Sequence, residues 1–287
     1  MAAGEPVRRS FSARDGLRLS ALEWPGPSEG ERRLPLLCLS GLARTALDFV
    51  EIGARYAGSR RVVALDYAGH GESERAADPG RYRVEVALRD VLDAMAALHL
   101  HRVVLLGTSF GGIVAMSLGV LRPGCLAAVA MNDIGPRLES AGLEVVREVI
   151  GRDPAFAELD EAAAYLRRVL PRLATDEAGW RSIADKTYAR GEDGRLHPRW
   201  DIRIVEALGR GDPSATEFWP LFAALAHIPL LLFWGQDSKL LTASTVARMR
   251  AMRPDMMVAG LPGIGHAPRL VEPLAIAALD RFLSAQP

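Results

Sequence analysis

Two cysteines in 287 residues are too few for a disulfide framework. Cys38 falls inside an apolar run and Cys125 follows "LRPG", so both are expected as buried free thiols in a chain of the reducing cytoplasm. Excess charge is lacking as well. The 35 basic residues face 35 acidic ones, which leaves no summed field to recruit nucleic acid or an anionic membrane. No apolar run reaches the ~18 residues of a membrane span, and "MAAGEPVRRSFSARDG" has no apolar core of an export signal. The six histidines are scattered without ligand spacing, and no G-x-G-x-x-G or G-x-x-x-x-G-K-[ST] follows an early strand. Neither a metal nor another cofactor is expected, and a small molecule remains as the partner.

What is present is a rhythm. "RSFSARDGLRLSALEWPG" alternates apolar and polar residues around an Asp-Gly pair, which predicts an antiparallel hairpin. "LPLLCLSG", "RRVVALDYAGHG", "HRVVLLGTS" and "LAAVAMNDIG" are short apolar runs closing on small or polar residues, as strands buried on both faces of a parallel sheet do. Helical stretches separate them, including "VEVALRDVLDAMAALHL" and "GGIVAMSLGVLRPG". From about 136 to 222 the rhythm stops and amphipathic helical pieces such as "ELDEAAAYLRRVLPRL" take over, before "IPLLLFWGQDS" and "MMVAGLPGIGH" resume it. The pattern predicts a mostly parallel α/β core formed by residues 1–135 and 223–287, with residues 136–222 inserted after the sixth strand as a helical cap.

Polar residues at the carboxyl ends of parallel strands are where ligands bind. Gly107-Thr108-Ser109-Phe110-Gly111 fits G-x-S-x-G, with an apolar strand before it and a helix after, and so makes Ser109 a candidate nucleophile on a strained turn. A serine hydroxyl needs a base, and His266 in "GIGHAP" is the best placed of the histidines. His99, His101, His197 and His227 are expected to be structural or solvated. His70 follows a strand end in "DYAGHGES" but precedes the serine. The base needs a carboxylate in turn; Asp237 in "FWGQDS" is preferred, and Asp133 in "MNDIGP" is the alternative.

With these residues in place, the sequence resembles the α/β-hydrolase superfamily, in the branch of small bacterial ester hydrolases with a helical cap. "DYAGHGES" is similar to the family's D-x-x-G-x-G-x-S loop, which implies that Asp66, Gly69, Gly71 and Ser73 shape that loop rather than react. The resemblance also implies an oxyanion hole built from the backbone N–H groups of Leu42 and Phe110. The sequence departs from the family's His-Gly-aromatic pattern there, reading Ser40-Gly41-Leu42-Ala43. Ser40 is expected to make a structural hydrogen bond, and Arg44 to lie at the solvated surface, with a substrate carboxylate as its alternative partner. Phe110, Trp180, Tyr188, Trp200, Phe218 and Trp219 supply bulk that could cover an apolar group, or simply form the core of the cap.

The expected activity is hydrolysis of a small carboxylic ester through an acyl-enzyme on Ser109, with His266 and Asp237 completing the triad. Cleavage of a carbon–carbon bond or a lactone is the first alternative, and a hydrolase-like receptor for a small ligand is the second.

Overall fold

The apolar runs become strands because each has too many buried side chains for a one-sided element. A computed structural model describes residues 5–27, 33–207 and 216–286. Residues 1–4, 28–32 and 287 of the expected core and 208–215 of the expected cap lie outside the described residues. Strands β1 (Val7–Ser12) and β2 (Arg18–Trp24) form the expected hairpin, closed at Asp15-Gly16 with Gly16 at φ +89°. Then come β3 (Leu36–Leu39), helix α1 (Val50–Tyr56), β4 (Val62–Asp66), α2 (Val84–Ala97), β5 (Val103–Thr108), α3 (Phe110–Leu121) and β6 (Leu126–Asn132).

Between β6 and the next strand of the central sheet the chain builds a separate layer. It contains β7 (Arg137–Leu138), α4 (Ser140–Ile150), α5 (Leu159–Val169), α6 (Glu177–Thr187), β8 (Tyr188–Arg190), β9 (Leu196–Pro198), α7 (Ile204–Ala207), β10 (Thr216–Glu217) and α8 (Trp219–Ala223). Beside the helical pieces expected here, β8 and β9 pair antiparallel, as do β7 and β10. The β8–β9 turn runs through Asp193-Gly194 with Gly194 at φ +78°, the same dipeptide signal that marked the first hairpin. The chain closes with β11 (Leu230–Gly235), α9 (Ala243–Met252), β12 (Met257–Leu261) and α10 (Pro273–Ser284).

The eight-stranded sheet has the order β1-β2-β4-β3-β5-β6-β11-β12. The pairs from β4 through β12 are parallel, and β2 joins β4 antiparallel. One face packs on α2, α3, α8 and α9, and the other on α1 and α10. A third apolar cluster joins Leu19 and Tyr82 of the core to Ile150, Trp180 and Trp200 of the inserted layer. This is an α/β-hydrolase fold. The register places Thr108, Asn132 and Phe233 side by side, so the carboxyl ends of β5, β6 and β11 open onto one edge beneath the insertion. No helix among the described residues is long and apolar enough to cross a membrane.

Candidate active site

Ser109 stands between β5 and α3 with φ +50° and ψ −111°, a backbone conformation costly for a residue with a side chain. The surrounding glycines explain how the turn is tolerated. A Cβ at Gly107 would lie 2.4 Å from the Gly111 carbonyl oxygen, and one at Gly111 would lie 2.2 Å from the Leu39 carbonyl oxygen. Without those methyl groups α3 sits directly on β3 and β5, and the Ser109 hydroxyl reaches the cavity at the sheet edge.

His266 follows β12, and its Nε2 lies 3.0 Å from Ser109 Oγ. Its Nδ1 lies 2.8 Å from Asp133 Oδ2. A carboxylate only accepts, so in the neutral imidazole Nδ1 carries the proton and Nε2 is free to accept from the serine hydroxyl. Asp133 is fully buried at the end of β6, at φ +50°, and its Oδ1 accepts the Gly235 N–H at 2.9 Å. The preferred carboxylate, Asp237, is therefore corrected. It stands beyond the end of β11 with its side chain partly exposed, and it pairs with Arg172 of the inserted layer instead of with His266. The alternative, Asp133, is the one the fold brings to the imidazole.

Asn132, which sequence reasoning passed over, links the parts. Its Nδ2 donates to the Pro268 carbonyl at 2.9 Å and to Thr108 Oγ1 at 3.1 Å, tying the loop of His266 to the strand that carries Ser109. Its own carbonyl accepts the Ser109 N–H at 3.0 Å. Its position directly before Asp133 was the only signal.

The backbone N–H groups of Leu42 and Phe110 have no hydrogen-bond partner among the described residues, and both residues line the cavity. Phe110 opens α3, so its N–H is one of the helix's unsatisfied donors. The Leu42 loop is tied to the same turn, because the Gly111 N–H donates to the Ser40 carbonyl at 3.1 Å. The Ser40 hydroxyl donates to the Arg44 carbonyl at 3.2 Å, a structural bond within the loop. Two N–H donors thus stand free at the cavity that Ser109 lines.

The cavity above Ser109 holds about 680 Å³. Phe110, Trp200 and Phe218 line it, whereas the buried side chains of Trp180, Tyr188 and Trp219 pack within the apolar clusters. Arg44 is half-buried and paired rather than free at the surface. It forms a two-pronged ion pair with Asp48 and donates to Thr187 Oγ1 on α6, bridging the loop beside Ser109 to the insertion. Burial opposes its charge, but Asp48 more than compensates and raises its pKa.

The "DYAGHGES" segment is structural. Asp66 accepts the N–H groups of Ala46 at 2.8 Å and Glu72 at 3.2 Å, and burial pushes its carboxyl up to about 6. The Ser73 hydroxyl donates to the Asp66 carbonyl at 2.7 Å. His70 is buried, with Nδ1 3.0 Å from the Ala68 carbonyl. His197 is held on the insertion by Asp153 and Asp193 at 2.8 and 3.0 Å. No group of metal-ligating side chains occurs among the described residues. Cys38 is fully buried, which pushes its thiol above the ordinary range, and Cys125 is half-buried.

Residues 36–279 match the family model described as the alpha/beta hydrolase family. A 3-hydroxybutyrate-oligomer hydrolase from Cupriavidus necator is 31% identical over 279 residues, 93% of each chain. The chain therefore belongs to the alpha/beta hydrolase family. A 2-(acetamidomethylene)succinate hydrolase from Mesorhizobium japonicum is 25% identical over 87% of this chain and 88% of its own length. Among solved structures, an alpha/beta hydrolase from Novosphingobium aromaticivorans superimposes with a TM-score of 0.90 at 37% identity, covering 98% of this chain and 99% of that one. Family and relatives make this protein a hydrolase.

Proposed function

We propose that the protein hydrolyses a small carboxylic ester by a serine acyl-enzyme route, with Ser109, His266 and Asp133 as the triad. The hydrogen-bonded chain Ser109–His266–Asp133, at 3.0 and 2.8 Å, carries this reading. Ser109 Oγ attacks the ester carbonyl as its proton passes to His266 Nε2, and Asp133 stabilises the imidazolium. The tetrahedral oxyanion is held by the N–H groups of Leu42 and Phe110, each such donor contributing about 10²–10³ in rate. His266 returns the proton to the departing alcohol. Water, deprotonated by the same imidazole, then releases the acid. Residues 136–222 act as a cap that limits solvent access and substrate size.

The relatives support an acyl substrate of this kind, one named for oligomers of 3-hydroxybutyrate and another for 2-(acetamidomethylene)succinate. The test is a time course with p-nitrophenyl acetate, butyrate and octanoate beside Ser109→Ala. Many turnovers in the wild type, abolished in the variant, are expected. Turnover that survives Ser109→Ala sinks the mechanism. A single slow burst with a large thermal shift would favour the receptor, and inactivity on all three esters would favour cleavage of a carbon–carbon bond or a lactone.

A further inference from the structure

The cavity carries a charge imbalance that the chain as a whole does not. Five cations line it, Arg44, Arg83, Arg147, Lys186 and Arg269, against three carboxylates, although the chain's formal net charge is zero. Arg147 has a partner of its own, and two of the other cations have counter-ions on the wall itself. Asp48 neutralises Arg44, and Glu51 holds Lys186 at 2.5 Å.

Arg269 differs. It lies three residues beyond His266 on the same loop, half-buried, and its guanidinium makes no hydrogen bond or ion pair with any described residue. Glu272 Oε1 accepts the main-chain N–H of Arg269 at 3.1 Å, which fixes the backbone and leaves the guanidinium donors unused. The guanidinium tip reaches the insertion, where a Cβ on Gly179 would sit 2.9 Å from Nη1. The acid on that turn, Asp176, has its Oδ1 committed to the Gly179 N–H at 2.7 Å. A half-buried guanidinium with no ion pair of its own keeps its donors open to an anion.

We infer that the substrate carries a free carboxylate, received by Arg269 across the cavity from the ester being cleaved. This rests on the ester-hydrolase reading and narrows it to half-esters of dicarboxylic acids and to esters of hydroxy acids with a free acid end. The planar fork of a guanidinium matches a carboxylate with two parallel hydrogen bonds. A cavity of about 680 Å³ has room for both groups.

The test compares p-nitrophenyl hydrogen glutarate, whose far end is a carboxylate, with its methyl-capped ester. In the wild type kcat/KM should favour the free acid by about tenfold or more. Arg269→Gln should bring the two esters within about twofold of each other, and Arg269→Lys should retain part of the preference. A merely structural defect lowers both substrates together and leaves their ratio intact. Equal wild-type rates, or a preference that survives Arg269→Gln, overturn the proposal. Should neither ester be turned over, the ester reading falls while calorimetric titration with monomethyl glutarate still decides the carboxylate site. Wild-type binding that weakens about tenfold in Arg269→Gln supports the site, and no binding, or inorganic phosphate binding equally well, overturns it.

Discussion

Asp133 and His266 lie 133 residues apart in the chain, yet their side chains meet at 2.8 Å because β6 and β11 are neighbours and the loop after β12 folds back over their ends. Asp133 is anchored independently of the imidazole. Its Oδ1 holds the Gly235 N–H and its own N–H donates to the Phe233 carbonyl, so β11 fixes the carboxylate from two sides. Such preorganisation lets a carboxylate set the tautomer of a histidine without reorganising during the reaction.

Asp133→Asn should therefore lower kcat by about 10²–10⁴, because the amide no longer enforces the tautomer that leaves Nε2 free. Asp237→Asn should leave kcat close to that of the wild type. Its contact with Arg172 is an exposed ion pair, worth at most about 1 kcal/mol of stability. Initial-rate kinetics on one ester decide the matter, and the reverse ranking of the two variants would restore Asp237 as the acid.

The sheet was legible because each of its parallel strands is a continuous apolar run, and the sharp turn at Ser109 because glycines at 107 and 111 allow the close approach of α3 to β3 and β5. The acid was not. Chain order runs serine, aspartate, histidine with either Asp133 or Asp237, so the order argument could not separate them. What separates them is the register of β11 between β6 and β12, a pairing between segments about a hundred residues apart. The partners of Arg44 were hidden for a related reason: its counter-ion Asp48 is four residues away, but Thr187 comes from the insertion. The β8–β9 hairpin is a different kind of miss, since Asp193-Gly194 carried the same local signal as Asp15-Gly16 inside an otherwise helical segment.

Asn132 supplies a second prediction. Its amide is the hydrogen-bonded link between the Thr108 hydroxyl and the Pro268 carbonyl, so Asn132→Ala should let the His266 loop shift relative to Ser109. Misplacement of about 1 Å costs about 10²-fold in rate. The expected result is a loss in kcat of about 10- to 100-fold with KM little changed, and a shifted or broadened His266 Nδ1–H resonance in the proton spectrum. Asn132→Asp should be worse, because a carboxylate oxygen would face the Pro268 carbonyl. An equal rise in KM with kcat intact would assign Asn132 to substrate binding instead.

A third prediction concerns acid stability and the joint between core and insertion. His70 is 3% exposed, its Nε2 has no hydrogen-bond partner, and it sits where the Gly71 N–H donates to Arg199 O and the Asp201 N–H donates to Gly69 O, both at 2.7 Å. Burial depresses its pKa from 6.5 to about 4, with the Ala68 carbonyl and Asp201 opposing the shift. Between those values the unfolded imidazole holds a proton that the folded one lacks. Stability is thus full above pH 6.5 and lost as pH falls toward 4, by about 3 kcal/mol in all. Asp66 acts with the opposite sign, because burial raises its carboxyl from 3.8 to about 6 and the folded state keeps the proton longer, so its effect favours folding as pH falls through that range. Wild-type urea midpoints should therefore change only modestly between pH 6.5 and 4. In His70→Gln the histidine's contribution disappears and Asp66 is left unopposed, so the variant should gain stability over the same range relative to its own value at pH 7. An unchanged pH profile in His70→Gln would show that the buried imidazole does not govern the joint.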